Sequence, residues 1–265
     1  MTAAQYARFS EIRSTMKRSI DSMLGESGWM LDIQRALYRE RGYPEDDLES
    51  SIVYNLALDD IDAESDPRVI IVADNPGLQE QKKKNHRYLV GQSGKLAVSW
   101  FRNNLGLDFR TATIIINKTP IHTPKTAELR LLLKLAGERR AELSALLERS
   151  QREMAAFAIE LAKCLGCPLW ISGLGELKKR GIFSVWAEEL RARDAASIPG
   201  PRAHILLFRH FSMNQFAIEF TASQREERAG TADSGAALSS GEREAANLAL
   251  LEKIGAKNRM RILGF

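Results

Sequence analysis

Four short apolar runs, each closed by turn-forming or polar residues, constrain the 265-residue chain more than any other feature: Arg68–Ala73, Ala112–Asn117, Pro168–Ser172 and Ala203–Phe208. Runs this short, β-branched or aliphatic and without polar alternation, read as strands buried on both faces, the pattern of a parallel sheet. Helix-forming stretches separate them, so the chain predicts an α/β fold, a three-layer α/β/α sandwich around a central four-stranded parallel sheet. Residues 126–164 are broken only by Gly137 and predict two helices between the second and third strands, ample for a right-handed crossover.

The flanks extend this core. Tyr6, Phe9, Ile12, Met16, Ile20 and Met23 recur at helical spacing over residues 4–24, and Trp29–Arg41 forms a second amphipathic helix ending before Gly42 and Pro44. Leu48, Ile52, Leu56 and Ile61 suggest a third helix across residues 46–61. Further helices are expected near Phe183–Arg193 and Met213–Arg228. Residues 229–241, AGTADSGAALSSG, hold few large apolar side chains and read as a flexible linker. Ser239 and Glu242 make a capping box for a last helix through about Ile254, and the terminal RMRILGF is left as a docking strand or tail. The expected organisation is an N-terminal helical extension over 1–66, an α/β domain over 67–228, and a linker with a C-terminal helix over 229–265.

Composition excludes several classes. No apolar run approaches the roughly 20 residues of a membrane span. Glu11 and Asp21 stand where a secretory leader needs an apolar core, so a cytoplasmic protein is expected; it is also expected to be a monomer. Cys164 and Cys167 form one C-x-x-C without a second pair, closing a helix where a redox pair would open one, so they read as buried structural thiols; no metal or other cofactor is expected.

The net charge of +4 says less than its placement. Lys82, Lys83, Lys84 and Arg87 follow the first strand, Lys118 and Lys125 the second, Lys178, Lys179 and Arg180 the third, and Arg209 the fourth. In a parallel sheet these loops share one rim, where the charges either hold phosphates or are merely solvated. Ligands of open α/β sheets bind at that rim. Three polar groups end three of the strands there: Asp74 with Asn75, Asn117, and His210 with Ser212.

In order and spacing these residues resemble the uracil-DNA glycosylase superfamily over residues 68–216. Asn75-Pro76-Gly77 is similar to the G-x-N-P-G of its mismatch-specific and single-strand-selective branches, and Val90-Gly91-x-Ser93-Gly94 to the V-G-x-A-G of its iron–sulfur branch. Asn117-x-x-Pro120 resembles the base-reading N-x-x-P, and His210-Phe211-Ser212 the H-P-S loop. The resemblance implies base excision from DNA, single-stranded or duplex with a damaged base, by hydrolysis of an N-glycosidic bond. That transition state gathers positive charge on the sugar and negative charge on the departing base.

The implied roles follow residue by residue. Asn75 orients water through its amide oxygen, Asp74 offers a carboxylate, and His210 donates to the base's O2. Asn117 presents a donor beside an acceptor, matching O4 and N3–H of uracil. Tyr88 or Leu89 is placed to stack on the base and Ser212 to contact it. Lys82, Lys83, Lys84, Arg87, Gly91, Ser93, Lys118 and Asn214 are placed to meet the DNA.

Taken singly, each has a structural reading: Asn75 as a turn residue before Pro-Gly, Asn117 as a loop brace, His210 as a satisfied histidine. His86 and His122 have weaker cases for chemistry, and His204 falls at a packing position. The chain departs from the family patterns at Ala73, where glycine is usual, at Leu89 in place of a stacking phenylalanine, at Phe211 in place of proline, and at Asn214, where an apolar wedge enters the duplex. Cluster cysteines are absent. Two other functions stay open: a nucleic-acid-binding protein of this fold without catalysis, and a doubly wound enzyme for a small phosphorylated ligand. The latter would have to work without a G-x-G-x-x-G or Walker loop.

Overall fold

The computed structural model describes residues 1–193, 205–230 and 239–265. Ala203, His204 and most of the expected linker lie outside the described residues. In chain order the elements are α1 (Ala3–Glu26), α2 (Met30–Arg41), β1 (Val69–Ala73), α3 (Gln92–Leu105), the short α4 (Phe109–Ala112), β2 (Thr113–Asn117), α5 (Glu128–Leu135), α6 (Arg140–Leu165), β3 (Leu169–Ser172), α7 (Ser184–Ala192), β4 (Ile205–Phe208), α8 (Gln215–Gly230) and α9 (Ser240–Leu263).

The strands form one parallel sheet in the order β2-β1-β3-β4. Side chains alternate between its two faces and so divide the core. Ile70, Val72, Ile114, Ile116, Leu169, Ile171 and Leu207 pack against α1, α2, α5, α6 and α7. Ile71, Ala73, Ile115, Trp170, Leu206 and Phe208 pack on the other side, against α3, α8 and α9. The N-terminal helices therefore build one face of the core: Phe9, Ile12, Met16, Ile20 and Met23 of α1 are all buried. Thr2 and Gln5 close a capping box at the start of α1, as Ser239 and Glu242 do at the start of α9.

Residues 46–61 are not a helix. Short 3-10 turns at Glu45–Asp47 and Leu56–Leu58 flank an extended stretch in which Ser51, Ile52, Val53, Tyr54 and Asn55 are all buried. Five consecutive buried residues fit an extended strap and not a helix with one wet face. Ile52 bridges antiparallel to Ile121, and the Asn55 amide donates to Ile115 O at 2.8 Å, so the strap covers the β2 edge of the sheet. The opposite edge, β4, is covered by α9. Asn258 donates to Leu207 O at 3.1 Å and Arg259 to Ile205 O at 3.0 Å, occupying edge carbonyls that would otherwise offer a pairing template. A Cβ on Gly255 would meet Leu206 Cβ at 2.5 Å, which is why the helix can lie this close. This last helix runs past Ile254 to Leu263 and absorbs most of the terminal segment left open as strand or tail.

The cysteines are free thiols, Cys167 buried and Cys164 half-buried, and each lies within hydrogen-bonding range of a backbone carbonyl. Among the described residues no helix is long and apolar enough to cross a membrane.

Candidate active site

The carboxyl ends of β1 and β4 and the loop after β2 enclose a cavity of about 470 Å³. Ala73, Asp74, Asn75, Gly91, Ser93, His210 and Ser212 line it, together with Leu89, Glu80 and the Thr123–Thr126 loop. In the order β2-β1-β3-β4 the chain moves to opposite sides of β1, the arrangement that opens a crevice beyond the strand ends.

Asn75 is held by its nitrogen. Nδ2 donates to Thr123 Oγ1 at 2.9 Å and also approaches the carbonyls of Thr123 and Pro76, both at 3.3 Å. The Thr123 hydroxyl donates to Lys125 O, so toward Asn75 it acts as an acceptor. Surrounded by acceptors, the amide has one sensible orientation, which leaves Oδ1 buried and without a partner among the described residues. A buried acceptor in that state calls for a donor from outside the protein.

The Asn75 loop is braced from behind. His122 is fully buried, with Nδ1 2.8 Å from Pro76 O and Nε2 2.7 Å from the Tyr38 hydroxyl of α2. Burial pushes this imidazole down to about 4, so it is neutral. Nδ1–H then donates to the carbonyl and Nε2 accepts from the phenol. Gln34, also from α2, donates to His122 O at 2.8 Å. Helix α2 thus supports the candidate site through one histidine, a link that sequence spacing does not reveal.

His210 presents the opposite tautomeric logic. Its Nδ1 accepts the backbone N–H of Ser212 at 2.9 Å and lies 2.7 Å from the Ser212 hydroxyl. Burial lowers its pKa, with Asp74 opposing and Lys118 reinforcing the shift. A neutral ring whose Nδ1 is an acceptor carries its proton on Nε2, and Nε2 has no partner among the described residues. Phe211, where the family pattern has proline, anchors this loop by stacking on Phe216 at 4.6 Å.

Asp74 and Lys118 form a closed unit. The Lys118 ammonium is fully buried and donates to Asp74 Oδ1 and to Ser172 O, both at 2.5 Å, while Thr126 Oγ1 donates to Asp74 Oδ2 at 3.2 Å. Burial pushes the Lys118 pKa down and Asp74 opposes that shift. Gly173 sits at φ +88°, and a Cβ there would meet Asp74 Oδ1 at 2.7 Å, so the carboxylate requires glycine beside it.

Several expected contacts are corrected. Lys118 cannot meet DNA, because its charge is buried in the pair with Asp74. Tyr88 cannot stack on a base: it is 2% exposed and its hydroxyl donates to Val53 O at 2.5 Å. Leu89 does reach the cavity, with a left-handed backbone (φ +51°). Gly94 lets that loop lie on α3, since a Cβ there would overlap Leu89 O at 1.4 Å. Asn117 is 1% exposed and does not line the cavity; it ends β2 opposite Ala73, and neither amide atom has a partner among the described residues. Lys82 is half-buried and tied to Asp47 at 2.6 Å, whereas Arg87 is exposed and pairs with Asp60 at 2.5 Å, and Lys83 and Lys84 are exposed beside it. Asn214 is exposed with φ +57°, but the apolar projection beside it is Met213, 84% exposed with φ +52°.

Glu80 is a further lining residue that the sequence did not single out. Its carboxylate accepts Gly77 N–H at 2.9 Å, and burial raises it to about 7 against the backbone N–H groups of Gly77, Leu89 and Val90. It closes the loop from Gly77 to Val90 around the cavity mouth.

No family model, curated protein or solved structure matches the chain. The functional reading therefore rests on the chain's own residues.

Proposed function

We propose that the protein is a monofunctional DNA glycosylase that hydrolyses the N-glycosidic bond of uracil or another deaminated base, held flipped or single-stranded in the cavity between Asn75 and His210. The observation that carries this reading is that Asn75 and His210 line one cavity at the strand ends while Asn75 Oδ1 and His210 Nε2 have no hydrogen-bond partner among the described residues. One group accepts from a water, the other donates to an anion, and those are the two demands of this hydrolysis. As the bond from C1′ to the base nitrogen breaks with its electrons leaving on the base, a water held by Asn75 forms the new C1′–O bond. The proton that the water loses ends on the released base. His210 stabilises negative charge on the departing base through Nε2–H and takes no proton.

Asp74 is assigned a positioning role. With one oxygen on Lys118 and the other on Thr126, its carboxylate is held in place as a negative charge near the sugar. Met213 is the candidate to enter the space a flipped base leaves, since a left-handed tip holds its apolar side chain in solvent. Lys83 and Lys84 supply phosphate contacts.

The second reading, binding of nucleic acid without catalysis, draws on the buried Tyr88 and the walled-off Asn117, which leave the cavity without an aromatic platform or a base-reading amide. The separating experiment is a panel of oligonucleotides, each with one uracil, hypoxanthine or xanthine, incubated with protein and cleaved with alkali. Strand cleavage at one of these bases supports the glycosylase; salt-sensitive binding with no cleavage selects the second reading.

A further inference from the structure

His210 also lines a second cavity, of about 520 Å³, bounded by the loops after β3 and β4 and by the end of α9. We infer that this cavity is a phosphate-binding subsite, completed by the C-terminal helix, that holds the backbone of a nucleic-acid strand whose target nucleotide occupies the first cavity.

Its charge is one-sided. Lys178 comes from the loop after β3, Arg209 from the loop after β4 and Arg261 from the last turn of α9, and no carboxylate is among the lining residues. The cavity of about 560 Å³ beside β2 shows the contrast, since Asp60, Asp62, Glu64 and Asp66 line it alongside its arginines. An anion entering the Lys178–Arg209–Arg261 cavity meets three cations and no lining carboxylate, with Glu219 set behind Arg209, whereas the cavity beside β2 offers it four carboxylates.

Two of the guanidinium groups are already oriented. Arg209 Nη1 donates to Gln215 Oε1 at 3.1 Å, and its backbone N–H donates to Glu219 at 3.1 Å. Arg261 Nη2 donates to Asn258 Oδ1 at 2.8 Å, and Asn258 is itself fixed to Leu207 O on the sheet edge. Arg209 Nε lies 3.7 Å from the Glu219 carboxylate, whereas among the described residues no carboxylate lies within ion-pair range of Lys178 or Arg261. Gly173 and Gly175, on either side of Leu174, present no side chain of their own to the adjoining wall, which lets a phosphate approach the backbone there.

The fold makes this delivery fixed. Gly255, Asn258 and Arg259 seat α9 on β4, and Arg191 of α7 donates to Leu263 O at 2.9 Å, so Arg261 is carried on a helix end pinned from two sides. Because His210 belongs to both cavities, occupants of the two are neighbours, as a nucleoside and its flanking phosphate are. The anion chemistry stands on these residues alone; the strand as its source rests on the proposed function.

The test uses the full chain with Lys178→Ala and Arg261→Ala, two exposed residues on separate elements. Affinity for a single-stranded oligonucleotide is measured against salt concentration, and the Arg261 Nε–Hε resonance is followed during titration with inorganic phosphate and with a deoxynucleoside monophosphate. Each variant is expected to weaken oligonucleotide binding roughly three- to tenfold and to lower the log–log salt slope by about 0.7. Phosphate is expected to shift the Arg261 resonance in the wild type. Unchanged affinity and slope in both variants would overturn the inference. A phosphate response with an unchanged oligonucleotide slope would overturn the strand assignment in favour of a free phosphorylated ligand. A lowered slope in a protein that releases no base leaves this subsite standing while the glycosylase reading fails.

Discussion

The two sides of the candidate active site are built differently. On the Asn75 side the loop is tied to Thr123 and, through His122, to Tyr38 and Gln34 of α2, while Lys118 fixes Asp74 from beneath. On the His210 side the ring is hydrogen-bonded, among the described residues, to its neighbour Ser212 alone, and the chain then passes through two consecutive non-glycine residues in left-handed conformation, Met213 and Asn214. Such residues carry strain of order 1 kcal/mol or more each and persist where the surroundings impose them. The difference suits two tasks. A water aimed at one carbon needs a rigid acceptor, whereas a nucleotide drawn from a strand needs a projecting tip.

Substitutions should separate the sides, with stability lost on the braced side and rate or affinity on the other. The largest effect is expected at Lys118. Lys118→Ala leaves Asp74 in the cavity wall without its counter-charge and should cost about 3–5 kcal/mol of folding stability in urea denaturation. Next comes the His122 brace. Its folded pKa of about 4 lies below the ordinary 6.5, so between those values the unfolded chain binds a proton that the folded one does not. Stability is therefore fully present above pH 6.5 and falls as pH drops toward 4, by about 3 kcal/mol for this group. Denaturation midpoints across that range should show the loss in wild type and a shallower loss in His122→Gln; equal slopes would remove His122 as the cause.

On the other side, His210→Ala should leave stability nearly unchanged while slowing single-turnover base release a few tens- to about a thousandfold, the cost of one oriented donor. The penalty should be smaller for 5-fluorouracil than for uracil, since a more stable leaving anion needs less help. The smallest effect belongs to Met213→Ala, about 1 kcal/mol in affinity for duplex over single-stranded substrate, less than full burial of a methionine is worth. Equal loss for both substrates would separate Met213 from duplex opening.

Much of the frame was legible. The four runs are the four parallel strands within two residues at their described ends, because uninterrupted apolar character in a short run leaves burial on both faces as its outcome. The strap over residues 51–55 was misread because Leu48, Ile52 and Leu56 fall at helical spacing; the contiguous Ile52-Val53-Tyr54 was the stronger signal. At the site, Asp74, Asn75, Gly91, Ser93, His210 and Ser212 meet in one cavity as their positions after β1 and β4 implied. Lys118 and Tyr88 did not, since sequence places a residue on a loop but not on the inward or outward side of it. Nothing in the spacing marks Tyr38, His122 or Arg261, which act through contacts between segments far apart in the chain.

The most direct measurement is made on Asn75→Ala. Single-turnover release of the preferred base and affinity for the same oligonucleotide, with the base protected by a non-hydrolysable sugar, are determined for wild type and variant of equal thermal stability. If Asn75 Oδ1 holds the attacking water, release falls at least a hundredfold, roughly 3 kcal/mol in the barrier, and affinity changes less than threefold, because the interaction is made chiefly in the transition state. Release and affinity falling together, or release unaffected, would contradict the account and return Asn75 to the role of a turn residue before Pro76 and Gly77.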